Sequence, residues 1–145
     1  MILELQFAPV ALAVAELAAE PSTREIWLFG SRANGTATEE SDWDLLVFTD
    51  EDPRPVAARR LKIKIDILRV GPSGQALLEG ETEGHRLEFA DFSWLRVSGK
   101  CASYLDKKLN DYVELQAQDA DSPRVQRRLR RKAELLWSRG PETNV

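Results

Sequence analysis

Residues 28–48 read LFGSRANGTATEESDWDLLVF, and the parsing of this stretch decides the fold. It opens as an apolar strand, breaks at Gly30-Ser31, crosses a polar segment punctuated by Gly35, and re-enters an apolar strand that starts with Asp42 and Asp44. Residues two apart on a strand point to one face, so the two aspartates stand together with Cα atoms roughly 6.5–7 Å apart. Trp43, between them, points the other way and reads as core. Upstream, Ser31 is expected to begin a helical turn. Its free amides and dipole would favour an anion beside Gly30 and Ser31.

Working outward, Glu25 to Phe29 is apolar on both faces, which predicts a central strand. Residues 61–70, LKIKIDILRV, alternate Leu61, Ile63, Ile65 and Ile67 with Lys62, Lys64, Asp66 and Leu68, which places Asp66 on the face away from the apolar row. If this strand lies beside the Asp42/Asp44 strand, about 4.8 Å away, three carboxylates share one surface. They would repel and raise one another's pKa unless cations join them. Only residues 50–60, DEDPRPVAARR, connect the two strands. A parallel crossover usually needs a dozen or more residues, so an antiparallel connection is expected.

The ordered set Gly30-Ser31, Ser41-Asp42-Trp43-Asp44 and Ile65-Asp66-Ile67 resembles the nucleotidyltransferases related to DNA polymerase beta, most closely their minimal bacterial members. That group includes aminoglycoside nucleotidyltransferases, tRNA-tailing enzymes, protein adenylyltransferases and the nucleotidyltransferase half of HEPN/MNT toxin-antitoxin pairs. The resemblance covers roughly residues 8–70. It implies an α/β fold, a mixed sheet packed by helices, and transfer of a nucleoside monophosphate, AMP from ATP, to a hydroxyl acceptor that could lie on a protein. Asp42, Asp44 and Asp66 would hold two Mg2+ ions, with Mn2+ as the alternative. Gly30 and Ser31 would hold the departing phosphates, and Arg32 and Lys64 are candidates to contact the triphosphate of ATP or another nucleotide. A competing reading is an antitoxin-like subunit that binds a toxin partner. RNA tailing is the weaker third reading.

Composition bounds these readings. A chain of 145 residues, 43% hydrophobic and 30% charged, suits a single folded domain over 1–145. The single Cys101 cannot form an internal disulfide and reads as a small buried hydrophobe. With no basic leader and no long apolar run, a cytoplasmic protein without a membrane span is expected. Residues 123–139 carry six arginines, one lysine and one glutamate, a net +6 within a chain of net −4. The acidic remainder weighs against a general nucleic-acid binder.

For the rest of the chain, a helix is expected from Pro9 to about Ala19, ended by Glu20-Pro21-Ser22. Gln75 to Glu79 reads as a short helix. His85, the only histidine, sits in a polar loop. The C-terminal region, residues 86–138, is read as an extended segment to Val97, with Phe89, Phe92, Trp94 and Leu95 available for packing, and then two helices. The first runs from Cys101 to about Gln118, with Leu105, Leu109, Tyr112 and Val113 on one side. The second starts at Ser122-Pro123 and runs to about Ser138. It would dock Val125, Leu129, Ala133, Leu136 and Trp137 and turn the basic run RVQRRLRRK (124–132) to solvent or to an acidic partner.

Overall fold

Alanine-rich sequence favours helix, and Ala11–Ala19 forms one, α1, entered through a 3-10 segment over Leu5–Val10 that contains Pro9. Val10, Val14 and Leu17 recur at helical spacing and are fully buried. The helix stops where Pro21 disfavours helical backbone in the residue before it, and Glu20 is accordingly extended (φ −72°, ψ 125°).

The computed structural model describes residues 3–105 and 130–140. Its strands are β1 (Thr23–Phe29), β2 (Trp43–Thr49), β3 (Ile65–Val70), β4 (Gln75–Leu78), β5 (Leu87–Glu88), β6 (Leu95–Arg96), β7 (Cys101–Leu105) and β8 (Arg130–Ser138). They form one mixed sheet in the order β5-β4-β3-β2-β1-β8-β7-β6. Alternation sorts its side chains to two faces. Ile26, Leu28, Trp43, Leu45, Val47 and Ile67 pack with α1, as expected for Trp43. Trp27, Leu46, Leu68, Val70, Phe92, Ala102 and Tyr104 pack on the other side, where Phe29, Phe48, Phe89 and Trp94 complete an aromatic layer. No helix among the described residues is long and apolar enough to cross a membrane.

Several expectations need correction. Strands β2 and β3 run parallel, with Asp44 opposite Asp66 and Leu45 opposite Ile67. The strand begins at Ile65 instead of Leu61, so the connection spans residues 50–64 and is long enough to cross over without a helix. It passes on the α1 side: Leu61 packs there, Gly80 N–H donates to the Val56 carbonyl, and Arg59 pairs with Glu16 and Glu79. Arg69 adds bonds of 2.9 Å to both Glu20 and Glu79, closing a half-buried network of three acids and two arginines. Residues 75–78 are strand and not helix, hydrogen-bonded between β3 and β5. Leu95 is 56% exposed and not packed, whereas Phe92 is buried.

The largest correction lies at the C-terminal side. Cys101–Leu105 is a strand, with Ala102 and Tyr104 buried in strict alternation and Cys101 only half-buried. The remainder of the helix expected to Gln118 lies outside the described residues, as do Val125, Leu129 and the basic run up to that position. Arg130–Ser138 is a strand inserted between β1 and β7, not the end of a helix. A bulge explains the helical appearance. Ile26 pairs with Trp137 but Trp27 with Leu135, so Leu136 is an extra residue. Leu136 and Trp137 therefore both turn toward α1 while Ala133 and Leu135 turn to the aromatic side, which breaks the period of two.

Candidate active site

Three elements meet at one end of β2. The turn after β1 carries Gly30 to Gly35, the start of β2 carries Asp44 with Asp42 one residue outside the strand, and β3 carries Asp66. Asp44 and Asp66 are Cα partners on adjacent parallel strands, and paired residues point to the same face, here the aromatic one. All three aspartates are partly exposed.

Lys64 binds this group together. Its Nζ lies 3.2 Å from Asp42 Oδ2, while its own carbonyl accepts the Trp43 N–H. The hydrogen bond and charge of Asp42 raise the lysine pKa, and the charges of Asp66 and Asp44 add to the rise. The Lys64 ammonium is thus bonded to Asp42 and lies within the field of Asp44 and Asp66. Among the described residues, no three carboxylate, imidazole or thiol side chains close into a ready-made metal cage.

The turn is built differently from the expected helix start. Ala33 N–H donates to the Gly30 carbonyl, and the Asn34 and Thr36 amides to that of Ser31, which gives successive tight turns and removes the dipole argument. Gly30 has φ +74°, and a Cβ there would lie 2.1 Å from Asp44 Oδ2, so both the backbone conformation and the resting place of the carboxylate require glycine. The Gly30 N–H donates to the Tyr104 hydroxyl at 2.9 Å. Ser31 is partly exposed, and neither its N–H nor its Oγ has a hydrogen-bond partner among the described residues.

Arg32 is committed to the loop. Its guanidinium sits 4.6 Å from the centroid of the Trp43 ring, and Nη2 donates to the carbonyls of Glu39 (3.2 Å) and Ser41 (2.9 Å). Ser41 Oγ accepts the Thr38 N–H at 2.8 Å and shapes the approach to β2. His85 lies outside the group, exposed and bonded to Thr82. An open cleft of about 540 Å³ lined by Glu51, Asp52, Arg54, Gln75, Glu83 and Arg86 lies past the far end of β2. Three of its charged side chains are engaged locally: Arg86 pairs with Glu83, and Asp52 accepts from Ser73 N–H and Oγ.

Two contributors escaped the sequence reading. Tyr104 reaches the turn from β7, and Asn34 ties it to β8, with Nδ2 donating to the Gly30 and Lys132 carbonyls (2.8 and 3.1 Å) and Oδ1 accepting the Lys132 N–H at 2.9 Å. The two-residue alternation of Ala102 and Tyr104 was the available signal for the first.

No curated protein and no solved structure matches the chain. Residues 12–93 match the family model of the nucleotidyltransferase domain, a region that holds the glycine-serine turn and all three aspartates. That region is more than half of the 145 residues, and the chain belongs to this family, as a minimal nucleotidyltransferase of the DNA polymerase beta superfamily.

Proposed function

We propose that the chain moves a nucleoside monophosphate, AMP from ATP, to a hydroxyl acceptor with release of pyrophosphate. The observation that carries this reading is the in-register pair Asp44 and Asp66 on parallel strands, with Asp42 beside them and paired to Lys64. Carboxylate oxygens are the donors that hard divalent cations prefer, so the donor set suits magnesium in kind although no cage is preformed among the described residues.

Asp42 and Asp44 would hold the ions, with Asp66 completing the one nearest the acceptor. When bound, magnesium or manganese would offset triphosphate charge and lower the pKa of the attacking hydroxyl. The chain's own residues do the positioning. Ser31 presents an unpaired amide and hydroxyl to phosphate oxygens, Lys64 supplies a mobile positive charge beside them, and Asp66 orients the incoming hydroxyl. Such catalysis is positioning and charge stabilisation and needs no covalent nucleophile.

Incubating the protein with ATP labelled at the α-phosphate, magnesium and extract should yield a labelled species. The Asp42→Asn, Asp44→Asn double variant should produce none and should bind ATP with magnesium at least tenfold more weakly by calorimetry. Unchanged binding by that variant refutes the carboxylate assignment.

A further inference from the structure

The glycine-serine turn does not stand alone: two side-chain contacts tie it to strands that lie beyond the region shared with the family. The first is Tyr104 on β7, whose hydroxyl accepts the Gly30 N–H at 2.9 Å. Tyr104 is only 3% exposed. Its ring is held edge-on by Phe29 (5.8 Å between centroids) and stacked by Trp94 (6.3 Å), so the hydroxyl has a fixed place at the rim of the aromatic layer. The second is Asn34, whose amide bonds both ways to the backbone of Lys132 on β8.

These contacts set which donors of the turn face outward. A backbone amide has one hydrogen to give, and that of Gly30 is given to Tyr104. With the peptide held there and Gly30 fixed at φ +74°, the next donors along the chain, Ser31 N–H and Oγ, are without a partner among the described residues, as are the Arg32 and Gly35 amides further round the turn. We infer that Tyr104 is a positioning residue for nucleotide phosphate: its hydroxyl holds the Gly30 peptide so that Ser31 meets the phosphate oxygens. The inference rests on the nucleotidyl-transfer reading and assigns to β7 and β8 a role in the site that the shared region, 12–93, does not contain. Asn34 supports the same geometry from the other end of the turn.

The test uses the whole chain, with Tyr104→Phe to keep the ring and remove only the hydroxyl, and Asn34→Ala as an independent release of the turn should the first variant fold poorly. The probes are inorganic pyrophosphate and ATP with magnesium. In the parent protein the Ser31 amide resonance should shift on adding pyrophosphate, while the Gly30 amide stays protected from hydrogen exchange. Tyr104→Phe should lose that protection and bind pyrophosphate about five- to tenfold more weakly, as expected for one misplaced hydrogen-bonding group. For transfer, KM for ATP should rise by a similar factor while kcat stays within about twofold, since loss of folded protein would lower kcat instead. Equal pyrophosphate affinity after Gly30 protection is lost would overturn the inference. Tighter binding would overturn it too, by showing that the hydroxyl competes with phosphate. If the parent protein itself shows no shift at Ser31 with either probe, the nucleotidyl-transfer reading of this turn fails first, and the role given to Tyr104 falls with it.

Discussion

Two acidic clusters lie on this sheet, and they are neutralised in opposite ways. Glu16, Glu20 and Glu79 face Arg59 and Arg69, with the Glu79 side chain 5% exposed and that of Arg69 13% exposed. Burial works to lower the Arg69 pKa, but the hydrogen bonds to Glu20 and Glu79 outweigh it and leave it raised. Two planar guanidinium forks engage all three carboxylates and lock the crossover to α1 and β3. Asp42, in the group with Asp44 and Asp66, is paired instead with a flexible ammonium, that of Lys64, on a side chain 71% exposed. Charge left over in a buried network would cost stability. At an open sheet end a flexible partner can give way to a ligand.

The contrast breaks most visibly at Arg69. Arg69→Met leaves Glu79 buried beside Arg59 alone, and denaturant unfolding should show a loss of about 3–5 kcal/mol; a loss below about 1 kcal/mol would mean that the network does not hold the crossover. The corresponding change in the other cluster should spare folding. For Asp66→Asn, label transfer should fall at least about a hundredfold, roughly 2.7 kcal/mol of transition-state stabilisation. Stability should stay within about 0.5 kcal/mol, because the substitution relieves repulsion at a partly exposed site. A variant that unfolds would place Asp66 with the structural acids.

Lys64→Met sharpens the comparison. Without the ammonium, the magnesium concentration that gives half of the cation's thermal stabilisation should drop several-fold, and an unchanged value would show that Lys64 and the cation do not compete for Asp42. The smallest effect concerns a peripheral pair. The Arg24 hydrogen bond holds the Asp50 carboxyl below its ordinary pKa. A lowered folded-state pKa contributes stability above the unfolded value and loses it as pH falls through the folded one. The melting difference between the parent and Arg24→Gln should thus be present from pH 5 to 7 and fade as the pH is taken below about 3.8, the ordinary carboxyl value.

The N-terminal half was legible because its periods are clean. In β2, Trp43 turns to the core as its place between two aspartates predicts, and the shared face of Asp44 and Asp66 follows from the same period of two. Direction was not legible: nothing in DEDPRPVAARR reveals that Leu61 to Lys64 still belong to the connection, and that difference alone turns an antiparallel expectation into a parallel pair. At β8 a single bulge placed Ala133, Leu136 and Trp137 at spacings that mimic a helix. The reading of the site suffered in turn. Tyr104 is 74 residues from Gly30 in sequence and was assigned to the wrong kind of element, so no local pattern could join them.

The placement of β8 between β1 and β7 also sets an order of events during synthesis. Residues 30–129 separate the two partners, and at roughly 5–20 residues per second the ribosome needs about 5–20 s to add them. Over the last 36 of these residues, 94–129, about 2–7 s of synthesis, the matched region can be complete while the outer edge of β1 offers unpaired backbone groups to any passing strand. Pairings this distant in sequence also form slowly once made available. The nascent chain therefore passes through a stage in which the three aspartates have been made but the sheet beneath them is open, the window in which an unpaired edge is most exposed to wrong pairing.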